Sequence, residues 1–377
     1  MHFKLNTFLF IFCIVISSCK INDHNQVPTI NINPDLKTIS CSVSEILSNI
    51  KIVHLETTPN NLIGYFSSLI FVNAKNIIYK SENRIIIFNH QGKFLNKIDR
   101  KGKGPEEYEN IINVFVDPQE EYIFIVDYKN VKIYNFEGKF IKSLMLDLSL
   151  GGVYRKNNGE LVLIHKQLYN QENRNMISIL DSSFNIFHTF ESKNSDVCND
   201  VNQNLFFAGS PYQSNNRLYY LEPFVDTIFE IADTMLIPHW HINHGNYGLE
   251  TKDGINTSNY EKARKNKISF IGLRESEKYF FIDYDFNKAK FFSVYDKNQN
   301  RFIFHRKYSR EDFPDEIVPT FGLNNDIIKN GPKFWPNYIS DSICVCVIPP
   351  NSLTKSQQKD LNCNPDDNPI LLIGNLR

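Results

Sequence analysis

The chain repeats itself. Residues 77–98 read IIYKSENRIIIFNHQGKFLNKI and residues 123–144 read IFIVDYKNVKIYNFEGKFIKSL, and the two superpose at an offset of 46 without a gap. Asn89 falls on Asn135, Gly92 on Gly138, Lys93 on Lys139 and Phe94 on Phe140. Each copy holds an apolar run, a polar turn, a second apolar run, a Gly-Lys turn and a third run. That is the pattern of antiparallel strands joined by hairpins. A further shift of 46 brings MISILDSSFNIFHTF (176–190) into the same frame, with Ile177 on Val131 and Ile179 on Ile133, and GELVLI (159–164) supplies the strand before it. Looser copies follow at 217–242 and 278–308. SDSICVCVIPP and NPILLIGNL add two strands near the C-terminus, split by a polar insert at 351–368.

Six units result. Runs such as Ile123-Phe124-Ile125-Val126 are apolar on both faces, so each small sheet must be covered on both sides by neighbours. Small sheets stacked in series describe a β-propeller. Composition agrees: 30 Phe and 18 Tyr suit pleated surfaces, and 42% hydrophobic residues suffice for a large core. The expected fold is all-β, a six-bladed β-propeller over residues 45–377 with blades of about four antiparallel strands.

The first residues are expected to be an address. Lys4 precedes an apolar run, Leu5 to Ile16, that is too short to span a bilayer. Ile16-Ser17-Ser18-Cys19 then resembles the lipobox of bacterial lipoprotein signals. The resemblance implies a signal peptide at 1–18, a lipidated Cys19 and membrane attachment through that lipid. Lys20 after the cysteine implies the outer rather than the inner membrane. Residues 19–44 are polar in character and read as a tether. Removal of Cys13 and lipidation of Cys19 leave Cys41, Cys198, Cys344, Cys346 and Cys363, an odd number that implies no complete disulfide framework. Cys344 and Cys346 share one strand face and read as buried thiols.

Between the first two units stands IDRKGKGPEEYENI, 98–111. A phosphate loop would need GxxxxGK[ST] ahead of a helix, whereas here Pro105 removes a backbone donor and a strand follows. Gly102 and Gly104 are instead expected to allow a sharp crossing with positive φ, stiffened by Pro105, while Glu107 and Tyr108 bond exposed backbone. Units near 46 residues, closed by Gly-Lys-Phe turns and joined by this G-x-G-P-x-E-Y run, resemble the six-bladed β-propeller lipoproteins of Gram-negative bacteria, which are similar in shape to NHL-type propellers. DTIFEI (226–231) and NPILLI (368–373) match the same habit. The resemblance implies architecture and address, and no reaction.

Chemistry is sparse. Charge is balanced, 41 basic against 42 acidic residues, so no field of one sign favours nucleic acid as a partner. The stretch PHWHINHGNYG (238–248) is the richest patch. His239, Trp240, His241 and His244 are candidate ligand-binding residues, with Arg100 as a candidate at the channel mouth. His-x-His suits a metal, but no carboxylate follows before Glu250, so no metal is expected; no cofactor is expected either. No GxSxG, HExxH or CxxC is present. The polar insertion 246–268 separates the fourth and fifth units and carries a helix pattern from Ser258 to Lys267. Asp226-Thr227-Ile228, Asp233-Thr234-Met235 and Asp341-Ser342-Ile343 resemble acidic-hydroxyl-apolar O-glycosylation triplets. The sequence-level expectation is a membrane-anchored binding module for a small molecule, glycan, peptide or protein. The alternative is a lyase or hydrolase acting on sugars or peptides in the channel, since propellers host both.

Overall fold

The computed structural model describes residues 27–377 except 129, 146–149, 166, 169–174, 193–205, 208, 255–256 and 310–320. The signal segment 1–18, Cys19 and Cys198 therefore lie outside the described residues. The architecture is a six-bladed β-propeller. From the axis outward, the first blade is Ser67–Val72, Asn76–Ser81, Arg84–Asn89 and Phe94–Ile98. The second is Asn113–Asp117, Tyr122–Asp127, Asn130–Asn135 and Phe140–Met145. The third is Leu150–Arg155, Leu161–His165, Asn175–Leu180 and Ile186–Glu191. Ser210–Ser214, Arg217–Leu221, Thr227–Ala232 and Met235–Asn243 make the fourth. Ser269–Glu275, Tyr279–Phe286, Ala289–Asp296 and Arg301–Tyr308 make the fifth.

Strand alternation explains the closed ring. Ile85 and Ile87 pack toward the second blade, while Ile86 and Phe88 pack toward the sixth. Cys344 and Cys346 face the fifth blade and Val345 faces the first. The core is accordingly six apolar clusters, one between each pair of neighbouring blades. Fully burying one such Ile or Phe contributes about 1.5–3 kcal/mol, so each seam is held by many independent increments. Cys41, Cys344, Cys346 and Cys363 are free thiols, the middle two fully buried.

The repeated turn has a physical cause. In the first blade the Asn89 side chain accepts from Lys93 N at 2.9 Å while Gly92 holds φ +84°. One repeat later Asn135 accepts from Lys139 N at 2.8 Å and Gly138 holds φ +77°. The third blade keeps the turn with other residues: Asp181 accepts from Asn185 N at 2.9 Å and Phe184 takes the left-handed position at φ +69°.

The sixth blade is completed from the other end of the chain. Tyr338–Ile339, Ile343–Ile348 and Ile370–Leu376 supply three strands. The outermost is Leu47–His54, antiparallel to Ile370–Leu376 with Val53 opposite Leu371. Residues before it also pack on the propeller. Thr29–Asn31 adds a parallel fifth strand to the fourth blade, Ile30 and Ile32 are buried there, and Ile39 bridges His305 of the fifth blade. Much of the stretch read as a tether is thus a strap across blades four to six, because its few apolar residues find a seam to fill.

The crossing between blades one and two is a latch. Tyr108, fully buried, donates to Asn83 O at 2.9 Å and lies 3.1 Å from Ile98 O. Lys132 Nζ donates to Pro105 O at 2.8 Å, and Tyr134 donates to Glu106 O. Gly104 N donates to the Glu107 carboxylate at 2.8 Å. Neither Gly102 nor Gly104 adopts positive φ, which corrects the expectation for this turn. What glycine supplies is room: a Cβ on Gly102 would stand 1.9 Å from Glu107 Oε2.

Candidate functional site in the central channel

The innermost strands of all six blades line one cavity of about 590 Å³ on the propeller axis. Its walls include Val116, Tyr154, Tyr212 and Tyr338, and its charges come from the ends of these strands: Asp117, Arg155, Arg274, Glu275 and Asp341. Each charge already has a partner. Arg155 Nε donates to the buried Asp117, and its Nη1 donates to Gly159 O at 2.7 Å. Arg274 Nη1 stands 3.3 Å from Asp283. Asp341 accepts from Asn215 N at 2.6 Å. The cavity is polar, with three carboxylates and two guanidinium groups, each bonded to a neighbour.

Glu275 is the most heavily bonded group in this wall. Only 3% exposed, it accepts from Tyr212 OH at 2.8 Å and Lys297 Nζ at 2.7 Å, and His239 Nε2 lies 3.1 Å from both carboxylate oxygens. Burial by itself raises the Glu275 carboxyl, yet the hydrogen bond and charge of His239 and the ammonium of Lys297 outweigh it, leaving a net value below the ordinary one. The group is therefore a carboxylate at neutral pH. The Tyr212 phenol is driven well above its usual range by burial and then by the charge of Glu275. His239 is placed by a β-bulge, where the ladder slips between Ile228–Trp240 and Phe229–Pro238, and its ring stacks on Tyr219 at 4.1 Å.

The other sequence candidates disperse. Trp240 is core, 9% exposed, edge-on to Phe280 at 5.3 Å and Tyr295 at 6.2 Å, because the pleat beyond the bulge turns it into the seam between blades four and five. His241 sits in the ladder between Thr29 and Thr227. His244 is buried with Nδ1 3.2 Å from Asp226 Oδ1, in a separate small pocket that Tyr260 of the insertion also lines. The insertion's helix is Thr257–Ala263. Arg100 pairs with Glu106 at 3.4 Å in the latch and lines no part of the central cavity. Among the described residues no three metal-ligating side chains stand together. Sequence reasoning missed Glu275, Tyr212, Lys297, Asp117 and Arg155. For Asp117, Arg155 and Glu275 the one signal is a charge ending an inner strand, which the repeat would have exposed had its inner strands been aligned; Tyr212 and Lys297 carry no such mark.

The profile of the family described as a domain of unknown function, DUF4934, matches residues 27–375. The chain belongs to that family. Among solved structures, this DUF4934 protein is similar to one from Bacteroides fragilis described as exported, with 21% identity, a TM-score of 0.65, and coverage of 93% of this chain and 99% of that one. It also matches a DUF4221 family member from Bacteroides vulgatus at 14% identity and a TM-score of 0.48, covering 70% and 86% of the two chains. No curated protein matches the sequence significantly. The first likeness shows the propeller fold.

The DUF4934 propeller has a second, larger cavity of about 860 Å³ near the start of the innermost strands of blades one and six. Ser67–Leu69 and Asn337 line it, whereas Ile70–Asn73 and Tyr338–Ile343 line the central cavity. The two cavities thus open toward opposite ends of these strands. No helix among the described residues is long and apolar enough to cross a membrane.

Proposed function

We propose that the protein is a cell-envelope binding module, anchored in the outer membrane through a lipid on Cys19, whose central cavity takes an uncharged polar ligand, a glycan or a peptide segment, without turning it over. The observation that carries this reading is the state of Glu275. An ionised carboxylate that already accepts from Tyr212, His239 and Lys297 is neither a proton donor nor a free base, and the other cavity charges are paired as well. Charges already bonded to neighbours, together with tyrosine rings, suit hydrogen bonding and stacking rather than capture of an ion.

The binding test uses a panel of neutral glycans and peptides, assayed by calorimetry for binding and by chromatography for product. Binding without product is expected, weakened about tenfold by Gln213→Ala, an exposed cavity residue whose loss leaves the core intact. Product formation abolished by Glu275→Gln would replace this reading with the enzyme. The anchor is tested separately: Cys19→Ala should move the protein from the membrane fraction to the soluble fraction. Unchanged fractionation would remove the lipid from the proposal.

A further inference from the structure

The larger cavity at the opposite mouth differs in chemistry from the central one. Four prolines, Pro349, Pro350, Pro365 and Pro369, form much of its wall. Proline has no backbone N–H, so these walls cannot pair with an added peptide strand. Charge in the lining is of one sign: Asp366 and Asp367 are present, and no Lys or Arg lines the cavity among the described residues. An anionic ligand is therefore disfavoured. Tyr65, 68% exposed, stands at the edge with its ring free for stacking, supported edge-on by Phe66 at 5.3 Å. Asn337 and Asn351 bring side-chain amides to the same space.

The floor supplies an independent observation. Tyr79 is 1% exposed, it lines this cavity, and its hydroxyl has no hydrogen-bond partner. A buried phenol with nothing to bond is costly unless a ligand or a water completes it. Flat apolar walls, one exposed ring, amide and carboxylate groups and a waiting hydroxyl match a molecule with apolar C–H faces and hydroxyls at its edge. The volume lies within the range of pockets that enclose small ligands.

We propose that this cavity is a second binding site, distinct from the central one, and that it takes a neutral oligosaccharide, with a sugar ring stacked on Tyr65 and a hydroxyl bonded to Tyr79. The proposal does not depend on what the central cavity binds. Full-length chain in a non-glycosidic detergent would be titrated by calorimetry with soluble neutral oligomers of the common hexoses and N-acetylhexosamines, with an oligouronate and with a proline-rich peptide. A neutral oligomer is expected to bind, and Tyr65→Ala should weaken it at least tenfold. Tyr79→Phe should weaken it several-fold while leaving the melting temperature equal or higher, since the variant discards an unsatisfied hydroxyl. Gln213→Ala in the central cavity should leave this binding unchanged. Failure of every neutral oligomer to bind would overturn the proposal. So would equal or tighter binding of the oligouronate or the peptide, or sensitivity to Gln213→Ala without sensitivity to Tyr65→Ala. An unchanged affinity in Tyr79→Phe would overturn the role given to the phenol.

Discussion

Acidification from pH 7 to pH 4 is expected to remove several kcal/mol of folding stability, and two buried histidines should supply the steepest part. His165 and His305 are 2% and 3% exposed, each bonded by one ring nitrogen to a serine: His165 Nε2 to Ser178 at 2.8 Å, His305 Nδ1 to Ser293 at 2.9 Å. Burial pulls both down from 6.5 to about 4. Their folded values lie below their unfolded ones. Above pH 6.5 neither state binds the extra proton and the fold loses nothing. Between 6.5 and about 4 the unfolded chain takes up protons that the folded chain refuses, so stability falls with pH, by roughly 3 kcal/mol per histidine at the lower end. Glu275 adds a later loss, because its lowered carboxyl stabilises the fold above the ordinary carboxylate range and that gain disappears as pH falls through its folded value. Urea unfolding at a series of pH values measures the slope. The double variant His165→Gln, His305→Gln should be weaker at pH 7 and much flatter between 6.5 and 4. A slope identical to that of the parent would show that these rings do not control it.

What the sequence disclosed follows from how local the signals are. The turn at Gly92 and its copy at Gly138 are legible because five residues close them through one Asn side chain. The third copy is faint in letters although the turn is the same, since Asp181 and Phe184 replace Asn and Gly. The both-faces-apolar strands follow from seams on either side, as Ile86 and Ile87 illustrate. The closing strand Leu47–His54 was not legible as such, because its partner lies more than 300 positions away and pairing over that distance leaves no local mark. The strap was hidden for the same reason, its three isoleucines, Ile30, Ile32 and Ile39, lost among polar neighbours. The site was the least legible part. Tyr212, His239, Glu275 and Lys297 come from four separate segments of blades four and five, and only the bulge at His239 brings the histidine to the carboxylate. Three histidines stand close in sequence, yet the strand Met235–Asn243 carries only His239 and His241, and His244 falls in the turn beyond it.

Substitution of Gly92 should be far more costly than the same change at its repeat counterpart Gly138 or at Gly159, another positive-φ glycine, and the difference reports ring closure. Gly92, Gly138 and Gly159 all hold positive φ, at +84°, +77° and +86°, so alanine at any of them incurs backbone strain of about 1 kcal/mol or more. Their surroundings differ. A Cβ at Gly159 meets nothing within 4 Å, and at Gly138 it meets the Asn96 amide at 2.8 Å, a side chain able to swing away. At Gly92 it would stand 2.0 Å from the carbonyl oxygen of His54, in the strand that completes the sixth blade. Glu56 N also donates to Gly92 O at 2.8 Å just beyond that strand. Backbone cannot rotate aside as a side chain does, so the strand must retreat from the seam that Val53 and Leu55 fill between blades six and one. The expected costs rise from Gly159→Ala through Gly138→Ala, both about 1–2 kcal/mol, to Gly92→Ala at about 3–5 kcal/mol, the scale of emptying a large core position. Urea denaturation of the three variants measures the series. Equal costs at all three would mean that strand 47–54 yields freely, and that the ring is held shut elsewhere than at its N-terminal strand.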